Sequence, residues 1–286
     1  MTDCEHSYPW GRLGLIAGSG DLPVEIAQAV AETNPFIVRV RGFAGAELEN
    51  YDGKDLSVGQ IGGIIKALKS AKCDTVCFAG YITRPDLKNL QMDARGLIFV
   101  PKALAAGRNG DDAVVRVIIE EFENAGFNIL GPDEVMSSLA PEEGVLGAII
   151  PTPDQKNDID KAVRIARRIG ELDIGQGAVV SAGIVLAVEA QEGTSAMLER
   201  VVCLPGHLDM GTDLRNGVLA KMPKPIQELR VDLPTIGIET VRLCEKAGLA
   251  GIVLEAGRAL ILERTEVLAE LDKNGMFLMS VQAEQE

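Results

Sequence analysis

Short apolar runs and amphipathic stretches alternate along the first half of the chain. The amphipathic stretches, at 60–71, at 113–125 and directly after Pro23, repeat their apolar residues at helical spacing. Runs typical of buried strands lie at Arg12–Ala17, Phe36–Val40, 75–79 and Asn128–Leu130. Strands separated by helices of this length pair in parallel through right-handed crossovers. The pattern therefore predicts an α/β domain built on a parallel sheet.

The pattern changes near residue 135, where Gly131-Pro132-Asp133 and a loop at 140–144 interrupt it. We predict one domain at 1–135 and a second at 136–286. The pattern of the second domain predicts helices at 156–171, from about 237 and at 266–274, and strands at 217–221 and 276–281. It also predicts two hairpins, one joining 178–181 to 184–189 and the other joining 251–254 to 259–262. The second domain is thus expected to be α/β with a mixed sheet.

Composition narrows the functional classes. Of the 286 residues, 47% are apolar and 24% are charged, which favours folded domains over disorder. A net charge of −14 argues against a nucleic-acid binder, because such proteins need a basic surface. No apolar run reaches the roughly 18 residues of a membrane span, and the first residues lack the features of a signal peptide. We therefore expect a soluble, intracellular protein whose contact with a membrane is peripheral.

Cysteine and histidine usage excludes some kinds of site. The five cysteines are scattered and odd in number, so buried free thiols in a reducing cytoplasm are expected. His6 and His207 are the two histidines, and neither lies in a motif. A histidine-rich two-metal centre cannot be built from them, and a Ser-His-Asp triad is hard to assemble. Hydrolysis by this chain would have to use carboxylates, a divalent cation and basic side chains.

The first candidate site is a glycine turn between the first strand and the first helix. It comprises Gly18, Ser19, Gly20 and Asp21, and it matches neither a complete dinucleotide fingerprint nor a Walker loop. It fits either a tight turn or a cradle for a phosphate or nucleoside at a helix N-terminus. The carboxyl end of the third predicted strand would lie at the same sheet edge, which adds three further candidates: Gly80, Tyr81 and Arg84.

Two weaker candidates combine acidic and hydroxyl groups at helix starts. Asp111 and Asp112 open the predicted helix at 113–125, and they fit either helix capping or contact with a substrate. Glu189 ends a predicted strand, and Thr194 follows it in a polar turn. These two groups fit a sugar or phosphate contact, although Thr194 also fits a simple helix cap.

The densest polar cluster lies at 221–234, where prolines exclude a helix. If this stretch is extended, Glu228, Arg230 and Asp232 alternate onto one side. Paired carboxylates suit Mg²⁺, and lysine and arginine suit the charge that develops on a phosphoryl oxygen. The other interpretation of this stretch is a solvated charged loop.

The chain resembles the LpxI-type UDP-2,3-diacylglucosamine pyrophosphatases of lipid A biosynthesis. The resemblance rests on several blocks in the right order: GLIAGSGDLP, FAGYITRP, GDDAVVR, LDIGQGAVV, VLAVEAQEGTSAM, KPIQELRVDLPTIG and GLAGIVLEAGRALIL. It implies hydrolysis of the substrate's pyrophosphate, dependent on Mg²⁺ (or Mn²⁺), with water attacking the phosphorus nearer the sugar. The implied products are UMP and 2,3-diacylglucosamine 1-phosphate (lipid X).

The resemblance also implies an architecture and residue roles. The N-terminal domain is expected to be Rossmann-like, the C-terminal fold particular to the family, and the active site to lie in the cleft between the domains. Asp232 and Glu228 are the implied metal ligands or water-activating groups, with Lys221 and Arg230 in the same catalytic set. Residues implied to hold phosphates are Lys221, Lys224, Gln227 and Arg230.

The chain departs from the family pattern at two positions. Glu228 stands where the family usually has Asp, and Ser195 stands where an Asp usually ends the EGTD block. The second departure leaves open a non-catalytic binder of nucleotide sugar or lipid phosphate with the same fold. A third hypothesis, a nucleotide-sugar oxidoreductase, is disfavoured by the incomplete glycine fingerprint. As partners we expect the lipid-linked nucleotide sugar and the inner-membrane surface, no nucleic acid, and leave a homodimer open.

Overall fold

The structure is a computed structural model, and it describes residues 10–83, 89–204 and 216–283, apart from the side chains at 109 and 111. The chain divides into two compact units, Met1–Met136 and Ser137–Glu286. The first unit contains strands β1 to β5 at Arg12–Ala17, Phe36–Val40, Gly53–Leu56, Cys73–Ala79 and Asn128–Leu130. Its helices α1 to α5 are Leu22–Ala29, Ile61–Ser70, Ala94–Ala106, Asp111–Asn124 and Pro132–Val135.

The described strands of the first unit form one parallel sheet in the order β3-β2-β1-β4-β5. β1 lies at its centre, where Leu13, Leu15 and Ala17 are fully buried. Such continuous apolar strands belong in a sheet that is covered on both faces. The predicted parallel α/β fold of this domain is confirmed.

The sequence pattern did not predict three elements of the first unit: β3, α3 and the short helix α5. β3 has the sequence GKDL, in which Leu56 alone is buried, so it shows no apolar run. The strand forms through pairing with β2 and through an ion pair in which Arg39 Nε lies 2.6 Å from Asp55 Oδ1. α3 carries Pro101 in its interior, which the usual sequence rules would take as the end of a helix.

Asp93 connects α2 and α3. One carboxylate oxygen accepts a hydrogen bond from Gly96 N at 2.8 Å and caps α3, and the other accepts from Gly63 N of α2 at 2.6 Å. Partial burial by itself would raise the pKa of the Asp93 carboxyl, but the surrounding backbone N–H groups outweigh burial and lower it. The ionised carboxylate therefore holds the two helices together.

The second unit contains strands β6 to β13 at Gly144–Val145, Gly177–Ser181, Ile184–Val188, Val218–Lys221, Thr235–Ile236, Gly251–Glu255, Leu260–Ile261 and Phe277–Val281. Its helices α6 to α9 are Pro153–Glu171, Gly193–Val202, Ile238–Lys246 and Arg264–Lys273. The main sheet has the order β6-β13-β11-β9-β7-β8. The central strands β9, β11 and β13 are parallel, whereas β6, β7 and β8 run antiparallel to their neighbours. The predicted mixed sheet is confirmed.

The first predicted hairpin is also confirmed. β7 and β8 pair antiparallel around Ala182 and Gly183, which both have positive φ, at 48° and 75°. Two-residue hairpins favour this geometry because it matches the twist of the strands. The buried Asp158 of α6 accepts hydrogen bonds from both turn N–H groups, at 2.8 and 2.7 Å, which offsets the strain at Ala182.

The second predicted hairpin is wrong. β11 lies between β9 and β13 and pairs in parallel with both, while β12 joins β10 in a separate two-stranded parallel sheet. The EAGR turn joins two strands of different sheets and is not a hairpin loop. A fully buried strand shows no alternation that would separate a parallel neighbour from an antiparallel one.

Both faces of the main sheet of the second unit are covered. On one face Val179, Leu219 and Ile252 pack with residues of α7, α8 and α9. On the other face Val180, Val218 and Val253 pack against α6. Successive residues of each strand thus point alternately into two apolar layers. A polar side chain at the end of a strand therefore lies on the same face as one of these layers.

Two further expectations are settled by the described residues. The four described cysteines are free thiols: Cys73, Cys77 and Cys244 are buried, as predicted, whereas Cys203 is exposed. Within the same part of the chain, we find no helix with both the length and the apolar character needed to cross a membrane.

We expect Asp93→Ala to destabilise the first unit by about 1–3 kcal/mol, because it removes a helix cap and leaves the Gly63 N–H without its partner. Since the pKa of Asp93 is lowered in the folded state, its contribution is complete above the unfolded pKa and is lost as pH falls through the folded pKa. Thermal unfolding at neutral and acidic pH measures both effects. Asp93→Asn, which keeps one carbonyl oxygen, should lose less; equal losses for the two variants would contradict this role.

Candidate functional site

Polar side chains of the second unit collect at one edge of its main sheet. Lys221 ends β9, Glu255 ends the parallel strand β11, and Glu189 directly follows β8. β7 begins at this edge with Gly177, which pairs with Lys221. The carboxyl ends of parallel strands are where open α/β sheets bind ligands, so this edge is the candidate site.

Glu189 is a buried carboxylate, with 6% of its surface exposed. Its Oε1 accepts a hydrogen bond from Thr194 Oγ1 at 3.1 Å, whereas Oε2 is buried and has no hydrogen-bond partner among the described residues. Burial raises the pKa of the Glu189 carboxyl, against the opposing effects of the Lys221 charge and the Thr194 hydroxyl. Buried acceptors without a partner are rare in native proteins, which makes Oε2 a candidate contact for a bound group.

Thr194 serves this carboxylate and makes no helix cap. α7 begins at Gly193, with Glu192 at the N-cap position and no side-chain capping bond. The alternative in which Thr194 caps the helix is therefore wrong. Ser195, the residue that departs from the family pattern, is exposed in the first turn of α7.

Lys221 is buried next to Glu189, with 7% of its surface exposed. Its Nζ donates to Thr235 O at 2.8 Å. Burial lowers the pKa of Lys221, while the charges of Glu189 and Asp232 oppose that shift. Glu189 and Lys221 each favour the charged form of the other, and that mutual effect makes their burial tolerable.

The loop after Lys221 is held by its own side chains. Gln227 is buried, and its Oε1 accepts from Lys224 N at 3.1 Å. Lys224 Nζ donates to Asp173 Oδ1 at 2.8 Å. Asp173, a residue with positive φ in the turn after α6, was missed from the sequence because it belongs to no acidic cluster.

The expected extended wall at Glu228, Arg230 and Asp232 is wrong. The N–H groups of Val231 and Asp232 both donate to Glu228 O, at 3.1 and 3.0 Å, so the chain turns here. Pro225 excludes a long helix but permits a single turn that begins at Glu228. Glu228 and Arg230 form a two-point ion pair, with Oε1–Nε at 2.9 Å and Oε2–Nη2 at 3.1 Å, and Asp232 is exposed.

The described acidic side chains do not form a metal cage. No cluster of three or more acidic, cysteine or histidine side chains that could hold a metal ion occurs within residues 10–83, 89–204 and 216–283. Mg²⁺ keeps several waters and commonly takes one or two carboxylates together with substrate phosphates. Of the two acids expected to bind it, Glu228 is ion-paired with Arg230 and Asp232 is exposed.

A second missed group lies at the end of β11. Glu255 is 4% exposed and receives two arginines, with Arg167 Nη2 at 2.9 Å from Oε2 and Arg258 Nη1 at 3.6 Å from Oε1. The EAGR segment belongs to the last sequence block that resembles the family. That block was the only feature of the sequence that we identified as pointing to Glu255. Arg167 also donates to Gln282 O, and Gln282 in turn donates to Glu143, so Glu255 belongs to a mixed network of charges at this end of the strand.

The glycine turn of the first unit is built mainly by backbone pairing. Gly18 N donates to Ala79 O at 2.8 Å, and Ser19 and Tyr81 exchange two backbone hydrogen bonds of 2.9 and 3.1 Å. A Cβ on Gly18 would lie 2.7 Å from Tyr81 O, and a Cβ on Gly80 would lie 2.4 Å from Ser19 O. Glycine is thus required at residues 18 and 80 because the loop after β1 and the loop after β4 lie too close together for a side chain. This supports the tight-turn interpretation for Gly18 and Ser19.

The other half of the turn leads into the N-terminus of α1. Gly20 has φ of +94°, and Asp21 occupies the N-cap of α1 without a side-chain capping bond. Pro23 has no N–H, and the N–H groups of Val24 and Glu25 both donate to Asp21 O, so the first turn of α1 offers few free donors to an anion. Tyr81, 64% exposed, lies beside Gly20.

The remaining candidates are placed as follows. Asp112 is buried in the first turn of α4, whose N-cap is Gly110, so Asp112 does not occupy the capping position. Arg84, His207 and the side chain of Asp111 lie outside the described residues.

We expect Gly80→Ala to destabilise the first unit by about 1–3 kcal/mol, because the residue has φ of +81° and the new Cβ would meet Ser19 O. Chemical denaturation measures this loss. Gly42→Ala is a matched control, since Gly42 also has positive φ but its Cβ would have no neighbour within 4 Å. Equal losses would show that φ alone, and not the contact between loops, requires glycine at residue 80.

Comparison with known proteins identifies the family. The model of the LpxI N-terminal domain matches residues 12–139, and that of the LpxI C-terminal domain matches residues 142–279. The chain is also 53% identical over 272 residues to the UDP-2,3-diacylglucosamine pyrophosphatase LpxI of Caulobacter vibrioides (strain ATCC 19089 / CIP 103742 / CB 15), an alignment that covers 94% of this chain and 97% of that protein. With both domains matched in order along the chain, the protein belongs to the LpxI family.

Proposed function

We propose that this protein hydrolyses the diphosphate of UDP-2,3-diacylglucosamine in lipid A biosynthesis and releases UMP and lipid X. The proposal is supported by the 53% identity to a relative that carries this activity in its name. The observation in the structure that carries it is that two buried charged groups, Glu189 and Lys221, lie within electrostatic reach of each other at the carboxyl edge of the parallel strands.

The basic side chains of this edge suit a diphosphate. Lys221 is desolvated and fixed by Thr235, so its charge acts through a medium of low dielectric and needs no reorganisation when negative charge develops. Lys224 and Arg230 are more exposed, and each is oriented by a carboxylate, Asp173 and Glu228 respectively. We assign the three cations to the phosphoryl oxygens, with Lys221 nearest to the reacting phosphorus.

Mg²⁺ (or Mn²⁺) is the proposed cofactor, and Asp232 and Glu228 are the residues that would hold it. When bound, the ion would supply positive charge to the phosphate oxygens. The chain's own residues contribute the remainder: Gln227 holds the backbone of the loop at Lys224, and Glu189 offers an acceptor for a hydroxyl or water.

The position of Ser195 favours the enzyme over the non-catalytic binder. Ser195 is exposed, whereas the neighbouring Thr194 contacts Glu189. The missing carboxylate at residue 195 therefore leaves the hydrogen bond between Thr194 and Glu189 intact.

A membrane-surface location is part of the proposal, because the substrate carries two acyl chains. α3 supports it, since Leu97, Ile98 and Leu104 are 60%, 79% and 51% exposed. Exposed apolar residues on a helix suit the interface of a bilayer, while the two cations of α3, Arg95 and Lys102, are ion-paired with Glu121 and Glu120. We assign this helix to peripheral contact with the inner face of the cytoplasmic membrane.

We expect Asp232→Asn to lower kcat by about a hundredfold or more, the scale of losing a needed metal ligand or base. Release of UMP from purified protein with UDP-2,3-diacylglucosamine and Mg²⁺ is the assay, and EDTA should abolish it. Glu239→Gln removes an exposed acid from the first turn of α8 and serves as the control. Tight substrate binding without release of UMP by the wild-type protein would instead establish the non-catalytic binder.

We expect Ile98→Glu to weaken binding to vesicles that contain anionic lipid by about tenfold, since it places a charge on the exposed apolar side of α3. Co-sedimentation with vesicles measures the effect, and turnover of a detergent-solubilised substrate should be unchanged. Ile150→Glu is the matched control, because Ile150 is 73% exposed in the second unit. Equal binding by both variants would remove α3 from the proposal.

A further inference from the structure

Gly177 lies between the two buried charges of the candidate site. It pairs with Lys221 across β7 and β9, and its O accepts a hydrogen bond from Glu189 N at 2.8 Å. The side chains of Lys221 and Glu189 lie on the same sheet face, because they continue the alternation of Leu219 and Ala187, which pack in one apolar cluster. Across the sheet, Gly177 therefore lies between Lys221 on one side and Glu189 on the other.

The space above Gly177 is filled by the carboxylate of Glu189. A Cβ at this position would lie 2.4 Å from Glu189 Oε2, far inside van der Waals contact, and 3.4 Å from Met197 Cε. The fully buried Met197 closes the far side of this space. Any side chain at residue 177 would have to displace the carboxylate.

The displaced atom would be the oxygen that lacks a partner. Glu189 Oε1 is fixed by Thr194, while Oε2 lies over Gly177 without a hydrogen bond from the described residues. A buried carboxylate oxygen accepts hydrogen bonds and repels phosphate oxygens, so its partner must be a donor such as water or a sugar hydroxyl. Its location beside Lys221, the cation that we assign to the reacting phosphate, favours water.

We infer that Gly177 is a positioning residue: the space left by its missing side chain holds the Glu189 carboxylate beside Lys221, where Oε2 accepts a hydrogen bond from the attacking water. This inference rests on the proposed hydrolysis. The water oxygen forms a bond to the phosphorus nearer the sugar as the bond from that phosphorus to the bridging oxygen breaks. The bridging oxygen leaves with UMP, and the water proton passes to Glu189 Oε2.

Kinetics of Gly177→Ala, Glu189→Ala and the double variant test this role. We expect Gly177→Ala to lower kcat by about tenfold or more with KM changed less than about twofold, because water is misplaced while the phosphate contacts remain. In the Glu189→Ala background the same glycine substitution should change kcat by less than about twofold, since the displaced carboxylate is already gone. Glu189→Gln, which keeps the shape, should also lower kcat and not KM.

Gly251→Ala is the matched control for a structural effect. Gly251 begins β11 at the opposite edge of the same sheet, and its Cβ would lie 2.5 Å from the ring of Phe277. This variant should lower the Tm and leave the kcat of the folded enzyme unchanged. Gly177→Ala should lower kcat beyond any loss that its Tm explains.

The inference would be overturned by a wild-type kcat in Gly177→Ala or in Glu189→Gln. It would also be overturned if Gly177→Ala lowered kcat by the same factor with and without Glu189. A change confined to KM would assign Oε2 to a sugar hydroxyl and would likewise overturn it. If Gly177→Ala does not fold, Glu189→Gln decides alone between a kcat effect and a KM effect. Absence of UMP release by the wild-type protein would overturn the proposed function and the water assignment together. Release by the wild type with no effect in the variants would overturn only the inference.

Discussion

The candidate site depends on burying one carboxylate and one ammonium group together. Each ion alone would cost on the order of several kcal/mol to remove from water, and neither makes enough hydrogen bonds to offset that cost alone. Glu189 has Thr194 and Lys221 has Thr235 O, while each also lies in the field of the other. Natural sequences tolerate such costs mainly where chemistry requires a desolvated charge. The sheet makes the pairing possible, because three strands end or begin at one edge and the middle one carries no side chain there.

The two units use glycine for different purposes. In the first unit, Gly18 and Gly80 allow two loops to pair through their backbones. In the second unit, Gly177 makes room for the carboxylate of Glu189. The first arrangement fixes the course of the backbone, whereas the second fixes the position of one buried charged group. The buried charges of the candidate site, Glu189 and Lys221, thus belong to the second unit.

Sequence reasoning predicted the elements better than their partners. Apolar periodicity located β1, β2, β4 and most helices, because buried strands and amphipathic helices leave a local signal. It missed β3, whose stability comes from β2 and the Arg39–Asp55 ion pair, and it paired β11 wrongly, because strand partners are chosen by distant parts of the chain. In the site, the charged residue types at 221–232 were visible in the sequence, but the turn that separates Glu228 from Asp232 was not. Asp173 and Gly177 became candidates only when the fold placed them beside Lys224 and Glu189.

Glu189 follows β8, the outermost strand of the main sheet, and Ile184 of that strand is 54% exposed. Edge strands open at lower free energy than central ones, and here the hairpin is held to α6 by the carboxylate of Asp158. On heating we therefore expect β8 to open before the central strands do, and Glu189 to move with it. If Glu189 acts as we propose, activity would be lost below the melting temperature and would return on cooling, because the rest of the sheet remains as a template.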